Sequence, residues 1–73
     1  MKNFGQHIKR LRESKNLTQK QVAKEIGVSE RAYQGYEGGG EAKPSFYSLI
    51  ALADCFDVSI DYLVGRSDDP KRH

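Results

Sequence analysis

Residues 18–37, TQKQVAKEIGVSERAYQGYE, decide the fold of this 73-residue chain. The segment divides at Gly27 into two short stretches whose apolar residues recur at helical spacing. Thr18 and Gln21 have the spacing of a capping box that begins the first helix, and Ser29 lies where an N-cap begins the second. Gly27 can end the first helix in the left-handed conformation. The segment therefore predicts two helices joined by a tight turn.

The short turn is expected to set these two helices at a steep angle. Ala23 lies midway along the first helix, where its small side chain lets the second helix approach closely. The predicted seam between the helices consists of Val22, Ile26, Val28, Tyr33 and Tyr36. The opposite, polar face of the second helix is then free to project outward.

Three further helices are predicted around this pair. One runs from Asn3 to Lys15, with Asn3 as its N-cap. Ser45 caps a fourth helix and Ser59 a short fifth helix, while the glycine triplet 38–40 must end the third. The apolar stripe of the fourth helix is expected to contain Phe46, Leu49, Ile50, Ala53 and Phe56. The sequence predicts an all-α architecture of five helices.

The bulk composition fits one small globular domain, with 37% hydrophobic and 30% charged residues. We expect the domain to span residues 1–66 and a polar, flexible tail to span residues 67–73. No apolar run approaches the roughly 20 residues that cross a bilayer. The N-terminus lacks a signal-peptide pattern, and the single Cys55 cannot form an intrachain disulfide. We therefore expect no membrane partner and a cytoplasmic, nucleoid-associated location.

Charge is distributed unevenly along the chain. Residues 1–31 carry eight Lys/Arg and three Asp/Glu, whereas residues 32–73 carry four and seven. This asymmetry is typical of a protein with one face towards a polyanion. On charge alone, a solvated surface with uneven charges explains the pattern slightly better.

The outer face of the third helix carries side chains that can read base edges. Arg31 can donate two hydrogen bonds to guanine, Gln34 can pair with adenine, and Glu30 can accept from cytosine. A helix whose N-terminus enters the major groove presents such residues. Each has a simpler interpretation as well, because Arg31 and Gln34 can be ordinary surface residues and Glu30 can stabilise the helix N-terminus.

Catalytic and metal-binding patterns are missing from the sequence. Most serines lie at helix caps, and the glycine triplet is not followed by the Lys-Ser/Thr of a phosphate-binding loop. His7 and His73 lack partners at metal-ligand spacing. We therefore expect no enzyme activity, no cofactor, no metal and no small-molecule ligand.

Residues 3–65 contain a set of motifs: Phe4-Gly5, residues 8–12 (IKRLR), Leu17-Thr18-Gln19, Ala23, Gly27-Val28-Ser29, Tyr36-Glu37, Pro44-Ser45, Leu49, Leu52-Ala53 and residues 58–65 (VSIDYLVG). Together these motifs resemble those of the Cro and phage-repressor type of helix-turn-helix proteins, the XRE family. The resemblance implies a compact, five-helix, lambda-repressor-like DNA-binding domain. It also implies a pairing of Arg12 with Glu37 that ties the first helix to the third. The structural residues are thus Arg12, Ala23, Gly27 and Glu37.

The resemblance completes the set of candidate DNA contacts. Gln19 is expected beside a phosphate or an outer base, and the lysines beside the phosphate backbone. Tyr33 replaces a usual aliphatic residue, and its hydroxyl is expected to reach a phosphate. The candidate DNA-binding residues are Gln19, Lys20, Lys24, Ser29, Glu30, Arg31, Tyr33, Gln34 and Lys43.

Two departures from the family pattern affect this surface. The loop over residues 38–43 is one residue longer than in many members and carries Glu41, so within this loop phosphate contact is expected only from Lys43. Gly35 lies within the third helix, where a longer side chain is common, and it can let the backbone lie close to DNA.

These observations predict a transcriptional regulator that binds double-stranded DNA in a sequence-specific way. We expect it to be a repressor that binds a palindromic operator as a homodimer. The dimer surface is expected on the fourth and fifth helices, which carry more apolar residues than a small bundle needs to bury. The surplus residues are Phe56, Val58, Ile60, Tyr62 and Val64. The alternative is a protein-interaction module of the same fold, such as an antirepressor or an antitoxin, which the acidic second half favours. Steep salt dependence of DNA binding would separate the two.

Overall fold

A computed structural model describes residues 3–39 and 42–71 of the chain. Its helices are α1 (Phe4–Ser14), α2 (Gln19–Ile26), α3 (Glu30–Glu37), α4 (Phe46–Phe56) and α5 (Ile60–Leu63). No strand occurs within these two described ranges, and none of their helices has the length and apolar character needed to cross a membrane. The predicted all-α, five-helix fold is confirmed.

Hydroxyl side chains begin four of the five helices. The Thr18 hydroxyl accepts from the backbone N–H of Gln21, and the Gln21 side chain accepts from the backbone N–H of Thr18. The N-cap serines each accept from the N–H three residues further on; they are Ser29, Ser45 and Ser59. Asn3 occupies the N-cap position of α1, but it has a φ of 62° and its side chain makes no cap hydrogen bond. Its carbonyl oxygen accepts from the N–H of His7 instead.

All five helices, together with Val58 in the turn before α5, supply the buried core. Its members are Ile8, Val22, Ala23, Tyr33, Leu52, Ala53, Phe56, Val58 and Leu63. Helix α2 packs against α3 and α4, while α1 packs against α3 and α5. The expected place of Phe56 and Val58 on a dimer surface is therefore wrong. Phe56 and Val58 are 0% and 4% exposed. Phe56 is buried because it lies one turn after Leu52, on the inward side of α4.

Gly5 lets the first turn of α1 lie directly against the end of α3. A Cβ atom at Gly5 would lie 2.5 Å from the carbonyl oxygen of Glu37 and 2.9 Å from that of Tyr36. Only a hydrogen atom fits between these two backbones. The close approach places the Glu37 side chain next to α1.

The segment after α5 folds back onto that helix. The N–H of Arg66 donates to the carbonyl of Asp61 at 2.8 Å, and the carbonyl of Pro70 accepts from Ser59 at 3.1 Å. The domain boundary at residue 66 and the flexibility of the tail stay predictions. His73, which the sequence analysis considered as a metal ligand, lies outside the described residues.

Candidate nucleic-acid interface

The joint between α2 and α3 has the geometry expected from the sequence. Gly27 ends α2 with a φ of 79°, in the left-handed region, and the N–H of Val28 donates to the carbonyl of Ala23. In the predicted seam, Val22, Ala23 and Tyr33 are buried, while Ile26, Val28 and Tyr36 are half-buried against them. This packing fixes the inner side of α3 and leaves its outer side uncovered.

The outer side of α3 presents Glu30, Arg31 and Gln34, and all three are exposed. The Gln34 amide lies 3.4 Å from a carboxylate oxygen of Glu30, which is a long hydrogen bond. The guanidinium of Arg31 makes no hydrogen bond or ion pair within the described part of the chain. The three side chains therefore offer both donors and acceptors to a ligand that approaches α3 from outside.

Polar and basic residues flank this face. Lys20 and Lys24 are exposed on α2, and Lys43 is exposed in the segment that leads to α4. The Ser29 hydroxyl accepts from the N–H of Ala32, which leaves its own proton free to be donated. Contact of these residues with DNA stays a prediction.

The segment after α3 lies against α3 itself. A Cβ atom at Gly35 would lie 3.0 Å from the Cβ of Ala42, so Gly35 leaves space for this neighbour. Gly35 thus has a packing role within the chain. Gly40 and Glu41 of the loop that departs from the family pattern lie outside the described residues.

Glu37 accepts hydrogen bonds from two other helices. The Arg12 guanidinium donates to Glu37 through Nε at 2.7 Å and through Nη2 at 3.2 Å, and through Nη1 to the carbonyl of Leu17 at 2.9 Å. Gln19 donates from its amide nitrogen to Oε1 of Glu37 at 3.0 Å. The pairing of Arg12 with Glu37 is therefore present, and it is nearly enclosed: their side chains are 12% and 4% exposed.

Hydrogen bonding decides the charge state of this cluster. Burial alone would raise the pKa of Glu37, but the hydrogen bonds from Arg12 and Gln19 and the charge of Arg12 lower it below its ordinary value. The hydrogen bond to Glu37 raises the pKa of Arg12 in turn, against the opposing effect of burial. The ion pair therefore stays charged under neutral conditions.

The expected contact of Tyr33 with a phosphate is wrong. Its side chain is 0% exposed, and its hydroxyl is buried without a hydrogen-bond partner in residues 3–39 and 42–71. Burial, together with the nearby charge of Glu37, raises the pKa of Tyr33. Helical periodicity explains the error, because Tyr33 shares the inward side of α3 with Tyr36, whose ring it meets edge-on at 6.1 Å.

Gln19 is half-buried, and one of its amide N–H groups is occupied by Glu37. A primary amide has two N–H donors, so the second remains available to a phosphate oxygen. The structure thus gives Gln19 a positioning role that the sequence analysis did not expect. Its contact with DNA stays a prediction.

Two features of the structure were not predicted from the sequence. The contact of Gly5 with the end of α3 depends on where α3 lies, and the sequence offered Gly5 only as part of a family motif. Phe46, assigned to the buried stripe of α4, is 68% exposed, and its neighbour Tyr47 is 81% exposed. Phe46 has the helical spacing of the apolar stripe, but it lies on the first turn of α4, away from the buried side of that helix.

A protein-family model described as helix-turn-helix matches residues 8–63. The chain belongs to this helix-turn-helix family. The match includes α2, α3 and the turn between them, so the surface described above lies on the part that defines the family. The family is one of DNA-binding regulators and not a class of enzymes.

Curated helix-turn-helix relatives carry regulatory names. The chain is 42% identical over 67 residues to the uncharacterized HTH-type transcriptional regulator YobD of Bacillus subtilis, covering 92% of this chain and 59% of the relative. It is 37% identical to YqaE of the same organism, another uncharacterized HTH-type transcriptional regulator, covering 90% and 57%. It is 46% identical to the cryptic phage CTXphi transcriptional repressor RstR of Vibrio cholerae, covering 75% and 48%. The chain thus spans about half to three fifths of the length of these relatives.

Proposed function

We propose that this chain is the sequence-specific DNA-binding domain of a transcriptional repressor, and that two copies bind a palindromic operator. The observation that carries the proposal is the exposed set of Glu30, Arg31 and Gln34 on a helix whose opposite face is locked into the core. A helix held in this way can enter the major groove with its polar side chains facing the bases. A regulator that binds double-stranded DNA in this way acts in the cytoplasm at the nucleoid.

The proposed contacts divide into base contacts from α3 and phosphate contacts from the segments around it. Arg31 reads guanine, Gln34 reads adenine and Glu30 accepts from cytosine, as their donor and acceptor groups allow. Lys20 and Lys24 on α2 contact the phosphates on one flank of the groove. Gln19, Ser29 and Lys43 complete the phosphate contacts, which fix the register of α3 without reading sequence.

The relatives support a regulatory role. The names of YobD and YqaE include transcriptional regulation, and that of RstR includes repression. Repression by this chain is carried over from the repressor relative and from the resemblance to phage repressors. Two copies related by a two-fold axis would place their α3 helices about 34 Å apart, one turn of DNA.

Selection from a random duplex pool, followed by fluorescence anisotropy at several salt concentrations, tests this function. We expect enrichment of an inverted repeat with half-sites about 10 base pairs apart, as a dimeric helix-turn-helix protein requires. The affinity is expected to fall steeply with salt, because phosphate contacts release counterions. A pool without enrichment, together with binding that does not respond to salt, would contradict the proposal and favour a protein-interaction module.

A further inference from the structure

Tyr33 carries a hydroxyl that the core encloses without a regular hydrogen bond. The side chain is 0% exposed, and its oxygen is left without a partner among residues 3–39 and 42–71. An unpaired buried hydroxyl is costly, because it has given up its hydrogen bonds to water. Phenylalanine would fill the same space without this cost. The hydroxyl therefore indicates a role that the aromatic ring alone does not supply.

The Glu37 carboxylate is the neighbour of this hydroxyl. Glu37 follows Tyr33 by one turn of α3, and side chains four residues apart on a helix lie next to each other. Burial acts to raise the pKa of Glu37, and the groups that lower it by hydrogen bonding are Arg12, Tyr33 and Gln19. Burial and the neighbouring Glu37 raise the pKa of Tyr33, so the hydroxyl keeps its proton at neutral pH. The Tyr33 oxygen thus lies beside the carboxylate, although its placement falls short of a regular hydrogen bond.

The Glu37 carboxylate has an acceptor position to spare on the oxygen Oε2. An ionised carboxylate offers about four lone-pair positions, two on each oxygen. Within the described part of the chain, Oε1 accepts from Arg12 at 3.2 Å and from Gln19 at 3.0 Å. Oε2 accepts from Arg12 alone, at 2.7 Å. The second position on Oε2 is therefore open to the Tyr33 hydroxyl.

The Arg12 guanidinium has donors to spare on the other side of this hydroxyl. It carries five N–H groups, of which two donate to Glu37 and one to the carbonyl of Leu17. The charge of Arg12 opposes the rise in the pKa of Tyr33, so the guanidinium lies close to the hydroxyl. A hydroxyl can donate one hydrogen bond and accept another. The Tyr33 oxygen can therefore accept from Arg12 while its proton is donated to Glu37.

We propose that Tyr33 is a positioning residue for DNA binding, whose hydroxyl donates to Oε2 of Glu37 and accepts from Arg12. A small movement of the phenol ring completes both hydrogen bonds. Once Oε2 is held, the carboxylate no longer pivots, and Oε1 stays aimed at the Gln19 amide. Because Gln19 begins α2 and Tyr33 lies on α3, the hydroxyl fixes the two helices that carry most of the proposed DNA contacts. The inference rests on the proposed function.

The variant Tyr33→Phe removes the hydroxyl and leaves the buried ring in place. If the hydroxyl bridges Glu37 and Arg12, the Tm is expected to fall by about 5 °C, because hydrogen bonds are lost and their partners stay buried. Thermal denaturation followed by circular dichroism measures the change. Tyr36→Phe, at a half-buried position on the same helix, is the matched control. A Tyr33→Phe variant at least as stable as the wild type would overturn the inference, since removal of an unpaired buried hydroxyl stabilises a fold.

The pKa of Glu37 provides a measurement that a packing role of the ring would not change. It is followed through the chemical shift of the carboxyl carbon of Glu37 during acid titration of the chain without DNA. Tyr33→Phe is expected to raise this pKa, because it removes a hydrogen bond to the ionised carboxylate. Tyr36→Phe is expected to leave it unchanged. The same Glu37 pKa in the wild type and in Tyr33→Phe would show that the hydroxyl does not donate to the carboxylate.

Affinity for the selected duplex tests the positioning role. At a temperature where both proteins are fully folded, Tyr33→Phe is expected to bind about threefold more weakly than the wild type. The salt slope is expected to stay the same, because a buried hydroxyl contacts no phosphate. In a Gln19→Ala background, Tyr33→Phe is expected to cause no further loss, since the amide that it positions is absent. An equal loss in both backgrounds would overturn the action of Tyr33 through Gln19.

Measurements on the free chain separate this inference from the proposed function. The Tm and the pKa of Glu37 report the hydrogen bonds of the Tyr33 hydroxyl without any DNA. A chain that shows both expected changes but binds no selected duplex would contradict the proposed function alone. A chain that binds the selected duplex equally well with and without the Tyr33→Phe change would overturn the positioning role and leave the proposed function in place.

Discussion

Gln19, the first residue of α2, donates a hydrogen bond to Glu37, the last residue of α3, at 3.0 Å. The acceptor Oε1 also receives Arg12 from α1, at 3.2 Å. One nearly buried carboxylate thus fixes the start of α2 relative to the end of α3. These two helices carry most of the proposed DNA contacts, so the hydrogen bonds to Glu37 set the position of those contacts relative to one another.

Gln19→Ala is expected to reduce operator affinity about tenfold, because it removes the amide that positions α2 and the N–H that remains for a phosphate. The loss of one hydrogen bond is expected to reduce the free energy of unfolding by about 1 kcal/mol. Anisotropy on the selected duplex and urea denaturation measure the two effects. Gln6→Ala, an exposed glutamine on α1, is the matched control. An affinity equal to that of the control would contradict the role of Gln19.

Removal of one partner from the buried ion pair is expected to cost more than removal of both. Glu37→Met leaves the Arg12 guanidinium nearly buried without its counter-charge, at a cost of about 3 kcal/mol in the free energy of unfolding. Arg12→Leu/Glu37→Met removes both charges and is expected to recover a large part of that loss. The two single variants and the double variant complete a thermodynamic cycle in urea. Additive losses would show that the pair does not act as a unit.

The stability contributed by the Glu37 carboxylate is expected to depend on pH in the acid range. Its pKa in the folded chain lies below the ordinary value of 4.5, so folding favours the ionised form. The contribution is therefore fully present above pH 4.5 and is lost as the pH falls through the folded pKa. Urea denaturation of the wild type and of Glu37→Gln across this range checks the sign. A difference in stability that grows on acidification would contradict it.

Arg31→Ala and Lys24→Ala are expected to affect DNA binding in different ways. Arg31→Ala is expected to cost about 1–3 kcal/mol on the selected duplex and to relax base choice at one position. Lys24→Ala is expected to weaken binding to all duplexes about equally and to reduce the salt slope by about one unit. Competition between the selected duplex and single-base variants measures both. Identical behaviour of the two variants would show that Arg31 does not read a base.

Gly5→Ala is expected to destabilise the fold although alanine favours helices by about 1 kcal/mol over glycine. The new methyl group would lie 2.5 Å from the carbonyl oxygen of Glu37, so α1 or α3 must move, at a cost of about 1–3 kcal/mol. Thermal denaturation followed by circular dichroism checks this against Gln6→Ala on the adjacent, exposed position. A Gly5→Ala variant as stable as that control would show that α1 does not approach α3 this closely.

The sequence predicted the helices well because their ends carry local signals. Thr18 with Gln21, Ser29, Ser45 and Ser59 are caps whose hydrogen bonds reach only three residues, so sequence spacing alone defines them. The exposed face of α3 followed from the same local periodicity. The Arg12–Glu37 pair joins residues 25 positions apart, and only the family resemblance indicated it.

The errors arose where tertiary placement overrides local pattern. The polar tip of Tyr33 gives no indication of whether its hydroxyl reaches solvent, and the core encloses it. Phe46 and Phe56 have the same spacing along one apolar stripe, yet only Phe56 lies where α4 meets the other helices. The role of Gly5 depends on the position of α3, which no residue near Gly5 specifies.

Titration of the isotopically labelled chain with the selected duplex, followed by the chemical shifts of its backbone amides, tests the central claim most directly. We predict that the large changes in chemical shift occur at residues 19–20, 29–34 and 43 and that they diminish as salt is added. Large changes confined to α4 and α5, with α3 unaffected, would contradict the claim that the outer face of α3 enters the groove.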